Sequence, residues 1–291
     1  MSGLSPPPPL GASALPPGTF AEQLVVVTGG GTGLGKAIAV EFARLGAEIA
    51  IVSRDPSHHD AGIAAVADVG ARATAFACDI RDAAQVDAAF DAMEQLPDVL
   101  VNNAAGNFPV PAEDLSPNGW RAVTQIVADG TFFCAREFGR RHIAAGTPGS
   151  IVNIGASYAW TGGPGFVHSA AAKAAVKNLT ETLAVEWGPY GIRVNGLVPG
   201  LFPHEDETED IRGVPGRGDF ASEEASSPAG RTGRLRELGW AATWLASPYA
   251  AYGSGHTLVV DGANWQRRSL TNPPVETVRD QMGRGSFDPG A

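Results

Sequence analysis

The sequence predicts an α/β fold, a doubly wound parallel sheet formed as a single domain. Three observations carry this. Short apolar, β-branched runs alternate with longer segments of helical spacing from about residue 20 to residue 265. The first apolar run ends in a glycine cluster that opens the first helix. No linker-like stretch divides the region.

The elements follow in order. Leu24 to Val27 is the first strand. Lys36 to Leu45 then places Ile38, Val40, Phe42 and Leu45 on one broad face, as a helix does. Ile49 to Val52, Ala73 to Cys78 and Val99 to Val101 are the next strands. Ser150 to Ile154, Arg193 to Leu197 and Thr257 to Val260 complete the set. Helices are predicted over Ala83 to Met93, Gly119 to Ala145 and Ser169 to Trp187. Residues 1–18 contain Pro6 to Pro9, Pro16 and Pro17 and read as a flexible tail. The domain then spans 19–265. Within it, 202–230 is long, weakly periodic and rich in Gly, Pro and acid, the composition of a substrate lid. Residues 266–291, with Pro273, Pro274 and Pro289, read as a C-terminal arm.

Composition excludes several classes. The 291 residues are 44% hydrophobic and 18% charged, which fits a folded globular domain. A formal net charge of -10 gives no basic face for nucleic acid. Two cysteines, Cys78 and Cys134, cannot build a disulfide framework or a thiolate metal site. They suit a reducing cytoplasm, the expected location. No apolar run reaches membrane-spanning length, and residues 1–18 lack the basic start and apolar core of a signal peptide. No metal site is expected; His58-His59 reads as an exposed turn.

The chemistry concentrates in five places. The first is Thr28-Gly29-Gly30-Gly31-Thr32-Gly33-Leu34-Gly35-Lys36. Its spacing is T-G-x-x-x-G-x-G, and it lies between a strand and a helix. Such a turn lets the backbone approach a pyrophosphate, and the helix start offers free N–H groups. Gly29, Gly31, Thr32, Gly33, Leu34 and Gly35 are therefore cofactor candidates. The second is Arg54, after the second strand, where an arginine accommodates a 2′-phosphate and points to NADP(H) over NAD(H). The third is Asp79 with Arg81, the latter a candidate for an anionic part of the substrate. The fourth is Asn102-Asn103-Ala104-Ala105-Gly106-Asn107-Phe108, at the carboxyl edge of the sheet. There small residues let a cofactor lie against Asn103 and Ala104, Asn102 stabilises the sheet, and Asn107 has no obvious capping task. The fifth is His168-Ser169-Ala170-Ala171-Ala172-Lys173, with Tyr158 fifteen residues before the lysine. His168 reads as packing or as a hydrogen-bond partner.

With Pro199-Gly200 and Val260-Asp261-Gly262, these motifs resemble the short-chain dehydrogenase/reductase superfamily from about residue 20 to 265. Within it the chain is most similar to the 2,4-dienoyl-CoA reductases. The runs Asn102 to Phe108 and Leu115-Ser116-Pro117-Asn118 look like theirs. Val167 to Lys173 and Leu183 to Gly188 are similar to the peroxisomal branch. Tyr158 and Ser169 fall where the mitochondrial branch carries its catalytic tyrosine and a serine.

The resemblance implies a Rossmann-type fold and hydride transfer from NADPH to an unsaturated acyl-CoA. It implies that Tyr158 and Asn107 face the thioester oxygen, that Lys173 holds the nicotinamide ribose, and that Ser169 positions lysine or cofactor. Asp79 would sit beside the adenine. Pro199, Gly200 and Phe202 would flank the cofactor, and Arg81, Phe108 and Ser116 the substrate. The segments Trp120 to Ile143 and Ala170 to Trp187 correspond to helices that superfamily members pair across a two-fold axis, so a homotetramer or homodimer is expected.

The chain also departs from the common pattern. Ser169 stands where most members carry the tyrosine of Tyr-x-x-x-Lys, Ala156 where they carry a serine, and Val127 where they carry an asparagine. These losses argue against ordinary alcohol–ketone chemistry. Acids crowd the lid at Glu205, Asp206, Glu207, Glu209 and Asp210, which does not suit a CoA substrate. Two other readings stay open: a carbonyl or hydroxyacyl-CoA oxidoreductase using Tyr158, and a non-catalytic NADP-binding protein.

Overall fold

The computed structural model describes residues 7–8, 13–206, 224–225, 227–267 and 276–285. Seven strands form one sheet: β1 (Leu24–Thr28), β2 (Glu48–Ser53), β3 (Ala73–Ala77), β4 (Val99–Asn102), β5 (Gly149–Ile154), β6 (Ile192–Pro199) and β7 (Thr257–Val260). All pairings are parallel, in the order β3-β2-β1-β4-β5-β6-β7. Among the described residues the helices are α1 (Gly33–Arg44), α2 (His59–Ala67), α3 (Ala83–Asp91), α4 (Pro117–Thr124), α5 (Gly130–Ala145), α6 (Tyr158–Thr161), α7 (Val167–Trp187), α8 (Leu235–Ala246) and α9 (Val278–Gln281).

The centre of the sheet is buried on both faces because β1, β2 and β4 are apolar at successive rather than alternate positions, as in Val25–Val27, Ile49–Val52 and Val99–Val101. Val25 and Val27 face one core with Ile49 and Ile51, and with Ile38 and Phe42 of α1. Val26, Ala50, Val52 and Leu100 face the other, with Phe90 of α3 and Phe138 of α5. α8 closes on α1 where Gly239 meets Glu41. Glu41 is buried there, and Arg236 of α8 neutralises it at 2.6 Å. The strand order reverses between β1 and β4, which opens a crevice at their carboxyl ends.

The structure departs from the sequence expectations at several points. The helix expected over Gly119 to Ala145 is α4, a π-helical turn at Gln125–Asp129, and then α5. The turn leads into Gly130, where the backbone closes on Ile80 so tightly that a Cβ would lie 2.6 Å from it. His59 is buried at the start of α2, its ring 3.3 Å from the Ser53 carbonyl, rather than on an exposed turn. Leu15 packs into the core, inside the expected tail of residues 1–18. The C-terminal arm returns to the body, where Arg279 pairs with Asp114 at 2.6 Å and Arg284 pairs with the same carboxylate at 3.0 Å. Most of the expected lid, 207–223 and residue 226, lies outside the described residues, including Glu207, Glu209 and Asp210. No helix among the described residues is long and apolar enough to cross a membrane.

Candidate active site

The crevice between β1 and β4 holds a cleft of about 790 Å³. Its wall begins where β1 runs into the glycine turn. The Thr28 hydroxyl accepts hydrogen bonds from the Asn103 and Ala104 N–H groups, at 2.9 and 3.0 Å. This ties the turn to the loop leaving β4. Gly33 opens α1 with a φ of +50°, a conformation that disfavours side chains. Gly35 allows the helix to approach the turn: a Cβ there would lie 2.4 Å from the Gly29 carbonyl oxygen.

Of the expected cofactor residues, Gly29, Thr32, Gly33 and Leu34 line this cleft. Arg54, Asp79, Asn103 and Ala104 line it too. Arg54 is exposed at its rim, while neighbouring Asp55 is occupied in capping the Ser57 N–H at 2.9 Å. Gly31 instead packs beneath the turn at Pro56–His58, where a Cβ would strike the His58 carbonyl oxygen. Gly200 packs against Asp261 and donates to the Val260 carbonyl at 2.9 Å, which fixes Pro199 at the end of β6. The Phe202 side chain belongs to the core, against Gly233. Several cleft residues had no sequence signal as ligand-facing groups, among them His58, Ile126, His204 and Asp206, the last seen in the sequence only as one of several lid acids.

The candidate catalytic groups gather at the end of β5. The strand stops at Ile154, and four residues later α6 begins with Tyr158. α7 returns along the strand and carries Ser169 and Lys173 one turn apart on one face. The Tyr158 hydroxyl lies 2.9 Å from the Ser169 hydroxyl. The Lys173 ammonium is buried and donates to the Ile154 carbonyl. Burial lowers the Lys173 pKa to about 8. Burial also raises that of Tyr158, and the Ser169 hydrogen bond offsets only part of this. Tyr158 is thus a neutral donor at physiological pH, beside a lysine that loses its charge readily.

Other expected residues are occupied elsewhere. Arg81 forms a bidentate pair with Asp79, which holds that carboxyl below its ordinary range. The pair sits beside Cys78, whose thiol burial pushes up to about 11. The Ser116 hydroxyl caps α4 by accepting from the Gly119 N–H at 3.0 Å. The Asn107 side-chain oxygen accepts from the Phe108 N–H at 3.0 Å, a local closure the sequence did not suggest. Asn102 stabilises the sheet as expected, donating to Asn153 at 2.9 Å. Phe108 packs on His168, with ring centroids 4.6 Å apart. His168 is fully buried, and among the described residues neither ring nitrogen has a hydrogen-bond partner. Trp160, two residues after Tyr158, stacks on Trp265 with centroids 5.4 Å apart.

The chain is similar to known proteins over most of its length. A family model described as enoyl-(acyl carrier protein) reductase matches residues 29–263. The chain is 40% identical over 254 residues to a probable 2,4-dienoyl-CoA reductase, (2E)-enoyl-CoA-producing, of Bacillus subtilis (strain 168). That match covers 84% of this chain and 97% of the relative. It is 40% identical over 258 residues to the peroxisomal 2,4-dienoyl-CoA reductase, (3E)-enoyl-CoA-producing, of Rattus norvegicus, covering 86% of each. Among solved structures it is similar to a gluconate 5-dehydrogenase from Burkholderia cenocepacia in complex with NADP and tartrate. The TM-score is 0.77 and the identity 34%, over 85% of this chain and 97% of that one.

Proposed function

The chain belongs to the short-chain dehydrogenase/reductase family of oxidoreductases, and from that premise we propose that it reduces a conjugated acyl-CoA thioester with NADPH, as a 2,4-dienoyl-CoA reductase does. The observation that carries this reading is the Tyr158–Ser169 hydroxyl pair beside Lys173, with Ala156 and Val127 where ketone-reducing relatives carry polar groups. A site without those groups suits an electron-poor carbon more than a carbonyl to be protonated on oxygen.

The residues present fit the cofactor. The start of α1 already accepts an anion, because the Gly33 N–H binds the Asp206 carboxylate at 2.6 Å. The same N–H and dipole would hold the diphosphate. Asp79 would border the adenine, Arg54 the 2′-phosphate, and Lys173 the nicotinamide ribose. NADPH, when bound, supplies the hydride.

The protein's part is then electrostatic. Hydride addition to the far end of the conjugated system drives negative charge onto the thioester oxygen. Tyr158 donates a hydrogen bond to that oxygen, and Ser169 holds the phenol in place. Asn107 could serve as a second donor through its amide N–H, because only its oxygen is used in the loop. Lys173 adds positive charge below. The carbon protonated last decides between (2E) and (3E) products, the point on which the names of the two relatives differ. The stacked Trp160 and Trp265 offer an apolar surface beside Tyr158 for the acyl chain. The test is consumption of NADPH with a 2,4-dienoyl-CoA beside a 3-ketoacyl-CoA: the diene should be reduced and the ketone left. The reverse preference would overturn the reading.

Cofactor choice has its own test. Arg54 is the cation at the rim of the cleft, and one charge-assisted contact contributes about 1.5–3 kcal/mol. NADPH should therefore bind at least tenfold more tightly than NADH, and Arg54→Glu should erase the difference. Equal affinity of the wild type for both cofactors, by calorimetry, would sink this assignment.

A further inference from the structure

The segment that leaves β6 does not simply pass over the glycine turn; it inserts an anion into it. Asp206 accepts the Gly33 N–H at 2.6 Å, at the first residue of α1. The same carboxylate oxygen lies 3.1 Å from the Lys36 ammonium, one turn further along that helix. The His204 ring presses on Gly33 from the same side: a Cβ on that glycine would lie 2.9 Å from it. Both His204 and Asp206 form part of the wall of the 790 Å³ cleft, facing Thr32 and Leu34. Burial works against the Asp206 charge, but the Gly33 N–H and the Lys36 ammonium outweigh it, so the carboxyl titrates below its ordinary range. A helix start that attracts anions is here served by a carboxylate of the chain itself.

We infer that Asp206 is an internal competitor for the cofactor's diphosphate. One N–H and one ammonium cannot serve a carboxylate and a diphosphate at the same positions, and the two anions repel. Dinucleotide entry therefore requires Asp206 to leave, and residues 203–206 shift with it while the core retains Phe202. Lys36 remains as a cation for the incoming phosphates. The apparent affinity for the cofactor is reduced by the fraction of molecules in which the cradle is free. Cofactor binding and movement of the lid's first residues become a single event, which favours cofactor binding before substrate. The inference rests on the glycine turn as a dinucleotide site; it does not depend on the choice of NADPH or on the acyl-CoA substrate.

The experiment compares wild type with Asp206→Ala by calorimetric titration of the full chain with NADPH, NADH and adenosine 2′-monophosphate. If the occluded state outnumbers the free one by about ten to one, removing the carboxylate lowers the Kd of both dinucleotides about tenfold. The nucleotide without a diphosphate should bind both proteins alike. Asp206→Asn keeps the size and the acceptor oxygen and loses only the charge. It should move both Kd values the same way, and it serves if the alanine variant does not fold. Unchanged or weaker dinucleotide binding in these variants overturns the inference. So does an equal gain for adenosine 2′-monophosphate, which would mean a general loosening of the cleft. A gain for both dinucleotides in a protein that fails to reduce dienoyl-CoA would leave the inference standing and remove the proposed substrate.

Discussion

Tyr158→Phe should lower turnover by about 100- to 1,000-fold while leaving NADPH affinity unchanged, because removing one preorganised donor to a developing oxyanion costs that much. Tyr158 follows the end of β5 by only a few residues, and its hydroxyl meets that of Ser169, one helical turn before Lys173. Burial raises its pKa, so it stays protonated and can donate across the physiological range. Ser169 is 2.9 Å away but has a shorter reach and a weaker acid. Ser169→Ala should accordingly be the milder change, because it removes the partner that orients the phenol and not the donor. Equal losses in the two variants would make the hydroxyls a single unit. Near-full turnover of Tyr158→Phe would pass the role to Asn107 or a water.

Lys173→Ala should impair both cofactor affinity and turnover, on the order of 100-fold in kcat/KM, since it removes the proposed ribose contact and the positive charge together. The pH profile identifies the group independently. Burial disfavours the charged form and brings the Lys173 pKa from 10.5 down to about 8. The ammonium is therefore present below pH 8 and lost above it, so kcat/KM should fall as pH rises through about 8. Tyr158 cannot produce that limb, because its pKa moves up and not down. Stability runs the other way. From about pH 8 to 10.5 the unfolded chain binds the proton and the folded one does not, so unfolding free energy rises with pH in that window. An alkaline limb unmoved in Lys173→Arg would assign it to another group.

The parts of the fold that were legible are those written locally. β1 and β2 read as strands because their residues are apolar throughout, and the glycine turn read as a ligand cradle because its glycines occur between a strand and a helix. α2 was missed because its Ala- and Gly-rich sequence, HDAGIAAVA, gives little contrast between faces. The π turn at Gln125–Asp129 was unreadable because it accompanies the close approach of Gly130 to Ile80, a contact fifty residues apart in the chain.

The site divides in the same way. Tyr158, Ser169 and Lys173 were singled out by resemblance to the family's motif, but the hydroxyl–hydroxyl contact depends on how α6 and α7 pack. Ser116 and Arg81 looked free to meet a substrate, and in the fold their polar atoms are taken by Gly119 and Asp79. The contact between Gly33 and Asp206 joins residues 173 positions apart, and no periodic signal precedes it.

The central claim is that this oxidoreductase delivers hydride to carbon of a conjugated thioester while Tyr158 holds the oxygen. The most direct measurement uses NADPH deuterated at nicotinamide C4, a 2,4-dienoyl-CoA as substrate, and mass spectrometry with NMR of the product. The account requires one deuterium on the former diene carbons, one double bond fewer, and an intact thioester. Deuterium on a carbon that bears a hydroxyl, with carbonyl compounds as the substrates consumed, would contradict it.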